Sequence, residues 1–185
     1  MFSRFKRKVV TTDTGIGLAP GSEHYRAYVG PAEDYDLVSA MVFNLLTCAG
    51  LRQHHTLLDV GCGWGSTMRR AVEKYDVNVV GLTLSKHQAV HVQKMLDELG
   101  TERTGRVLLH GWEEFDEPVD RIVSIEAFEA FPKERYEAFF QMCQRITPPD
   151  GRMLLQTIMG HPLKRWPEMG IPITMTDLKF MRFIA

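Results

Sequence analysis

The sequence predicts an α/β domain built on a mostly parallel sheet with helices on both faces. Short apolar runs alternate with amphipathic stretches from residue 56 to residue 157. The first of these runs leads through a glycine-rich turn directly into a helical pattern. Because crossovers between parallel strands are right-handed, such alternation places helices on both sides of a single sheet.

The individual elements are read from apolar periodicity and from residues typical of helix ends. Asp36 is of a type found at helix N-caps, and Gly50 of a type found just after helix ends. Ser85 and Gln88 have the spacing of a capping box. The predicted strands cover 56–60, 77–82, 106–110, 121–125 and 152–157, and the predicted helices 36–50, 66–75, 85–98, 134–146 and 177–185. No further strand is apparent, so the expected sheet is shortened on its C-terminal side.

The chain divides into an N-terminal arm, residues 1–35, and one domain, residues 36–185. The arm is rich in glycine, proline, threonine and serine and shows little periodicity, which is typical of a loop. It begins with a basic cluster formed by Arg4, Lys6, Arg7 and Lys8. Such a cluster leaves peripheral contact with an anionic membrane surface open.

Composition limits the classes of protein to consider. The chain is 44% hydrophobic and 24% charged with a net charge of −1, which is ordinary for a globular domain and predicts no nucleic-acid partner. It contains no apolar run of the roughly 20 residues that span a bilayer. The beginning lacks the apolar stretch of a signal peptide, and three separated cysteines suggest no disulfide framework. We expect a cytoplasmic protein, with a position at the inner face of the membrane left open.

The segment LLDVGCGWG joins the first predicted strand to its helix. It places Asp59 at the tip of the strand, followed by Gly61, Gly63 and Gly65 at alternate positions. Glycines let the backbone turn sharply and approach a ligand closely. NAD is disfavoured, because Ser66 stands where the dinucleotide pattern needs a glycine and the second strand ends without an acid. The pattern favours S-adenosylmethionine, whose ammonium group Asp59 is expected to orient.

No metal site is predicted. His87 and His91 are four residues apart on a predicted helix, but neither a third ligand nor a catalytic glutamate accompanies them. An exposed polar helix face is the preferred interpretation. Cys62, inside the glycine turn, has no base beside it in sequence, which favours a small packing residue over a nucleophile.

Residues 57–158 resemble the cyclopropane mycolic acid synthase family, relatives of the cyclopropane-fatty-acid synthases. The resemblance is carried by LLDVGCGWGSTMRRAVEKYDVNVVGLTLSKHQ, GWEEFDEPVDRIVSIEAFEAF and PDGRMLLQTI. It implies a Rossmann-like class I methyltransferase fold. It also implies methyl transfer from S-adenosylmethionine to a double bond of an unsaturated long acyl chain, giving a cyclopropane or a methyl branch in a mycolic-acid-like lipid. Whether an acyl carrier protein presents that chain is left open.

The resemblance also implies which residues contact the cofactor. The glycine turn would line its methionine part, GLTLSKHQ the ribose and GWEEF the adenine, while Ile125 would close the floor near the transferred methyl group. The implied cofactor-binding residues are Asp59, Gly61, Gly63, Trp64, Gly65, Thr83, Leu84, Gln88, Trp112, Glu113 and Ile125.

Two residues, Glu129 and His161, are implied as catalytic. The family uses a bound bicarbonate to accept a proton from a carbocation, and Glu129 matches the glutamate that holds this anion. His161 resembles a histidine near the same anion, although it lies one residue closer to the strand. The resemblance does not support Glu126, three residues before Glu129. A first-turn role in a helix is the alternative for Glu129.

Three departures from the family pattern leave alternatives open. Ala130 replaces a histidine, the N-terminal arm is atypical, and the helical lid and final strands are missing. The alternatives are a methyltransferase for another small acceptor, a non-catalytic cofactor-binding subunit paired with a full-length relative, and a truncated remnant. A homo-oligomer is also open, because an unfinished sheet edge exposes unpaired backbone groups.

Overall fold

The structure is a computed structural model. The part of the chain that it describes comprises residues 41–158, 165–170, 172–175 and 178. The arm, its boundary at residue 35, the basic cluster, His161 and most of the predicted C-terminal helix lie outside these ranges. Within them, the α/β class is confirmed.

Five strands and four α-helices of the described residues are labelled in chain order. The strands are β1 (Thr56–Val60), β2 (Asn78–Leu82), β3 (Gly105–Leu108), β4 (Arg121–Ile125) and β5 (Arg152–Gln156). The α-helices are α1 (41–48), α2 (Ser66–Tyr75), α3 (Lys86–Asp97) and α4 (Tyr136–Ile146). Short 3-10 turns cover Trp112–Glu114, Phe128–Ala130, Lys133–Arg135 and Pro167–Met169.

The strands form one parallel sheet in the order β3-β2-β1-β4-β5. Leu58 of β1 pairs with Val80 of β2 on one side and with Ile122 of β4 on the other. The chain adds β2 and β3 to one side of β1 and then crosses over to add β4 and β5 to the other. This reversal creates a crevice at the carboxyl ends of β1 and β4, where open α/β sheets bind ligands.

Alternating side chains divide the core between the two faces of the sheet. Leu57 and Val79 point into one face, which α1, α2 and α3 cover. Leu58 and Val80 point into the other, which α4 covers together with the 3-10 turn at Trp112–Glu114. Because both faces are buried, the strands read as continuous apolar runs, as in other parallel sheets.

The helix ends follow the predicted chemistry in part. Gly50 has a φ of +87°, and the Leu51 backbone N–H donates to the carbonyl of Leu46 at 2.9 Å, so Gly50 ends α1 as predicted. Ser85 Oγ accepts from the Gln88 backbone N–H at 3.4 Å, which forms the first half of the capping box. The second half is absent. Thr83 Oγ1 accepts the Ser85 backbone N–H at 3.1 Å and leaves Gln88 free to bond elsewhere.

Two predicted boundaries were wrong by two residues. The third strand was expected at 106–110, but β3 ends at Leu108, because its partner β2 ends at the paired residue Leu82. The helix expected from residue 134 begins at Tyr136, after a 3-10 turn that follows Pro132. No helix in the described part of the chain is long and apolar enough to cross a membrane.

Candidate functional site

The glycine turn after β1 is fixed by contacts with two other strands. The backbone N–H groups of Gly61 and Cys62 donate to the carbonyl of Leu82, at 3.0 and 2.9 Å, at the end of β2. Gly61 has a φ of +78°, and a Cβ built on it would lie 2.4 Å from the Cβ of Ala127, which follows β4. Only glycine fits here, because a side chain would meet both backbone strain and a neighbour.

Asp59 is a buried carboxyl at the wall of the crevice, with 3% of its surface exposed. Burial raises the pKa of Asp59 to about 7, because the charged form loses its hydration. A cation bound beside it would favour the charged form. Burial likewise raises the pKa of the Cys62 thiol, which fits the predicted packing role rather than a nucleophile.

Helix α3 packs tightly against the turn. A Cβ on Gly65 would lie 2.6 Å from Cγ1 of Val92. The rings of Trp64 and His91 meet edge to face, with their centroids 5.3 Å apart. The predicted exposed polar face therefore holds for His87 but not for His91, which is half-buried beside the turn because the helix rotates it inward. Burial lowers the pKa of His91.

The loop after β2 forms the next wall. The Thr83 hydroxyl donates to Oε1 of Gln88 at 2.7 Å, which joins the strand end to the first turn of α3. Leu84, between them in sequence, is 82% exposed. Two polar side chains, Thr83 and Gln88, and the exposed apolar side chain of Leu84 thus lie where the family resemblance implies the ribose.

The opposite end of the crevice is aromatic. Trp112 is buried, and its ring makes an edge contact with Phe139 at 5.4 Å and a tilted contact with Phe131 at 5.8 Å between centroids. Phe131 also contacts Phe128 at 5.6 Å. These rings anchor the segment between β4 and α4 over the crevice and exclude water from its apolar side.

These elements enclose one cavity of about 660 Å³, which has the size of a small-molecule site. All eleven residues that the sequence implied for cofactor binding line it. They are Asp59, Gly61, Gly63, Trp64, Gly65, Thr83, Leu84, Gln88, Trp112, Glu113 and Ile125. Their shared position supports the predicted site, while their individual contacts with a ligand stay predictions.

The predicted catalytic residues are placed differently. Glu129 is exposed, does not line the cavity, and accepts a hydrogen bond from the Thr157 hydroxyl at 3.0 Å. His161 lies outside the described residues. Their catalytic roles stay predictions. Among the residues that the structure describes, no group of three or more His, Cys, Asp or Glu side chains is arranged to hold a metal ion.

Glu126 and His91 are among the polar residues that line the cavity and that sequence reasoning did not assign to the site. Glu126 follows β4 with a φ of +53°, in the left-handed region where glycine is favoured. The proximity of Glu126 to Glu129 in sequence was a signal, but the resemblance gave it no role. His91 was interpreted as part of an exposed polar helix face, with a metal pair as the disfavoured alternative.

The fold and the glycine turn define a class of protein. A parallel sheet in the order 3-2-1-4-5, with an acid-tipped glycine turn at its crevice, is that of a class I S-adenosylmethionine-dependent methyltransferase. A solved structure of geranyl diphosphate methyltransferase in complex with SAM is similar, with 25% identity and a TM-score of 0.63. It covers 89% of this chain and 71% of its own.

The family within this class is that of the mycolic acid cyclopropane synthetases. The family model matches residues 38–184, and the chain belongs to this family. Cyclopropane mycolic acid synthase MmaA2 of Mycobacterium tuberculosis is 54% identical over 156 residues, which are 83% of this chain and 54% of that relative. Cyclopropane mycolic acid synthase 1 of the same organism is 62% identical over 136 residues, or 74% of this chain and 47% of that relative.

Solved structures agree with these matches. The cyclopropane synthase MmaA2 has a TM-score of 0.73 and 55% identity, over 79% of this chain and 51% of its own. Mycolic acid cyclopropane synthase CmaA1, complexed with SAH and CTAB, has a TM-score of 0.72 and 59% identity, over 78% and 51%. The chain spans about half the length of the curated relatives it matches.

Proposed function

We propose that this chain binds S-adenosylmethionine in the cavity and serves in methyl transfer to the double bond of an unsaturated long acyl chain. The product would be a cyclopropane or a methyl branch in a mycolic-acid-like lipid. The observation that carries the proposal is the convergence of all eleven implied cofactor residues on one cavity. The names of the similar proteins, cyclopropane mycolic acid synthases, support the reaction class.

The cavity suits the charge and shape of this cofactor. Asp59 provides a buried carboxyl for a ligand that carries an ammonium and a sulfonium group. Gly63 has a φ of +53° and no atom within 4 Å of where a Cβ would stand, so the backbone there faces open space. Trp112 offers an apolar wall for a purine. An acid, an open backbone and an aromatic wall are the groups that the three parts of the cofactor need.

Once bound, the cofactor supplies an electrophilic methyl group. The chain would position the cofactor and exclude water from the pocket. The Gly61 contact with Ala127 fixes the turn beside the end of β4, where Ile125 lines the floor. The aromatic contacts of Trp112 keep water from the apolar side. Holding the methyl group in line with an alkene in a dry pocket lowers the barrier without a covalent enzyme intermediate.

Bicarbonate remains the weaker part of the cofactor assignment. Among the described residues, Glu129 forms no ion pair, and its nearest described hydrogen-bond donor is the Thr157 hydroxyl. A carboxylate with one neutral donor does not by itself form an anion site. The described residues therefore do not by themselves form a bicarbonate site. The proposal retains Glu129 and His161 as catalytic residues to be tested.

Several partners also stay proposals. The acyl chain would be presented by a carrier protein or as a free lipid. The basic cluster at 4–8 would favour peripheral contact with the inner face of the membrane for a cytoplasmic protein. Self-association, or pairing with a full-length relative, would cover the β5 edge of the sheet.

The first test is calorimetric binding of S-adenosylmethionine and S-adenosylhomocysteine to the purified chain. We expect dissociation constants on the order of micromolar. We expect Asp59→Ala to weaken binding roughly tenfold or more, because it removes the buried carboxyl that faces a cationic ligand. Asp116→Ala is the matched control, since Asp116 is exposed and does not line the cavity. A folded wild-type chain that binds neither compound would contradict the proposal.

Methyl-transfer assays distinguish the enzyme proposal from the non-catalytic subunit and from a different substrate class. Radiolabelled methyl transfer to an unsaturated acyl lipid would support the enzyme proposal. Binding without transfer, restored only when a full-length relative is added, would indicate the non-catalytic subunit. Transfer to small acceptors but not to acyl lipids would indicate a different substrate class.

A further inference from the structure

The adenine side of the cavity is backed by a charged residue that does not line it. Arg135 lies in the 3-10 turn before α4. Its Nη2 is 3.4 Å from Oε1 of Glu113, and its guanidinium carbon is 5.4 Å from the ring centroid of Trp112. One side chain thus contacts two neighbouring residues that line this side of the cavity.

The Glu113 carboxylate is confined from two directions. A Cβ built on Gly111 would lie 2.5 Å from Oε2 of Glu113, so this oxygen occupies the space that the glycine leaves. The other oxygen faces Arg135. Glu113 is exposed, and an exposed carboxylate without a partner samples several rotamers. Arg135 therefore selects the direction in which the carboxylate points.

Trp112 is held independently of Arg135. Only 6% of its surface is exposed, and its ring packs against Phe139 and Phe131. Loss of the guanidinium would leave this ring in place while it releases Glu113. A change at Arg135 should therefore affect the orientation of the Glu113 carboxylate and not that of the Trp112 ring.

We propose that Arg135 is a positioning residue that fixes the Glu113 carboxylate toward the purine of the cofactor and so sets a preference for a 6-amino purine. This inference rests on the proposed function. A carboxylate only accepts hydrogen bonds, adenine presents an amino donor at position 6, and hypoxanthine presents a carbonyl acceptor there. A site built for a donor discriminates against an analogue that lacks it.

The test compares the affinities of S-adenosylhomocysteine and S-inosylhomocysteine by calorimetry. We expect the wild type to favour the adenine compound by on the order of tenfold. Arg135→Gln should reduce this ratio to about twofold, because the carboxylate is no longer held. Arg135→Lys should keep most of the preference, since it retains the positive charge.

A matched control is provided by Arg106. Its ion pair with Glu117 has side-chain exposures of 43% and 45%, close to the 49% and 42% of the Arg135–Glu113 pair. Neither Arg106 nor Glu117 lines the cavity. Arg106→Gln should therefore leave the ratio unchanged. A variant that only loses stability would weaken both ligands alike and would not alter the ratio.

The outcomes are distinct. A wild-type ratio retained in Arg135→Gln, or the same loss of ratio in Arg106→Gln, overturns the positioning role. If the wild type binds both compounds equally, cofactor binding stands and only this inference falls. If it binds neither, the proposed function fails together with the inference.

Discussion

Two regions at the carboxyl ends of the strands differ in how strongly the fold determines them. The glycine corner, defined as residues 59–65 with the facing part of α3, is held by buried contacts from β2, β4 and α3. The β4–β5 edge, defined as residues 126–129 and 156–157, presents three exposed polar side chains, Glu126, Glu129 and Gln156, which are held by single hydrogen bonds. Buried contacts therefore hold the cofactor half of the proposed site in place. The half that would face the acceptor is exposed to solvent.

Changes in the glycine corner should cost the most stability. Gly61→Ala adds a Cβ that would lie 2.4 Å from Ala127, at a residue with a φ of +78°. We expect the free energy of unfolding to fall by about 3 kcal/mol, because strain and overpacking combine. Urea denaturation measures it.

The controls for this change separate strain from packing. Gly100→Ala meets a similar φ of +60° but no atom within 4 Å, so about 1 kcal/mol is expected. Gly63→Ala should cost the same as Gly100→Ala, yet unlike Gly100→Ala it should also weaken cofactor binding, because its Cβ enters the cavity. Equal costs for Gly61→Ala and Gly100→Ala would show that the contact with Ala127 is unimportant.

Asp59 should make the glycine corner sensitive to pH. Burial raises the pKa of Asp59 from 3.8 to about 7, so the folded protein holds this proton more tightly than the unfolded chain does. The stability that this group contributes is complete below pH 3.8 and is lost as the pH rises through about 7. Asp59→Asn should then be more stable than the wild type by several kcal/mol at pH 8, because a change of one unit in pKa corresponds to about 1.4 kcal/mol.

Thermal or urea denaturation of both proteins from pH 5 to pH 8 measures this difference. The gain from Asp59→Asn should shrink as the pH falls, while Asp116→Asn, at an exposed position, should show no such trend. A gain that does not depend on pH would mean that the carboxyl is not buried as described.

Glu126 tests the backbone of the β4–β5 edge. Its φ of +53° lies in the left-handed region, so Glu126→Gly should raise the free energy of unfolding by about 1 kcal/mol. His54→Gly, at a φ of 66° and away from the cavity, should give a similar gain. Chemical denaturation measures both. Reduced turnover in Glu126→Gly alone would assign this cavity-lining carboxylate a functional role.

Glu129 should give the smallest change in stability. Its exposed carboxylate accepts one described hydrogen bond, so Glu129→Gln should alter the free energy of unfolding by less than about 0.5 kcal/mol. Cofactor affinity should not change. If Glu129 is catalytic, methyl transfer to an unsaturated acyl lipid should fall by on the order of a hundredfold. Unchanged turnover would contradict its proposed role.

Periodicity and turn chemistry predicted most of the described fold. Apolar runs located all five strands, and the glycine triplet located the crevice, because these signals depend on neighbours in sequence. The errors lie where distant groups compete. The backbone N–H of Ser85 donates to the Thr83 hydroxyl instead of the Gln88 side chain, and β3 ends with its partner β2. The local sequence pattern does not show where a partner strand ends or which hydroxyl competes for a backbone N–H, so these features could not be predicted.

The site divides in the same way. The glycine motif and the family resemblance located residues that line the cavity, because each lies in a short segment at a strand end. Glu126 and His91 were not assigned, since their approach to the cavity depends on a left-handed residue after β4 and on the rotation of α3. Arg135 was not found either, because it acts across elements that are distant in sequence.

The sequence by itself determined an α/β domain, its glycine turn, its family resemblance and the set of residues around the cavity. These features depend on short sequence segments, because residues in one strand end or one helix turn are close together in the sequence. Only the tertiary structure decided that Asp59 is buried, that Gly61 meets Ala127, and that Glu129 stands outside the cavity lining. Burial and approach depend on how separate elements pack, and packing is a property of the whole sheet with its helices.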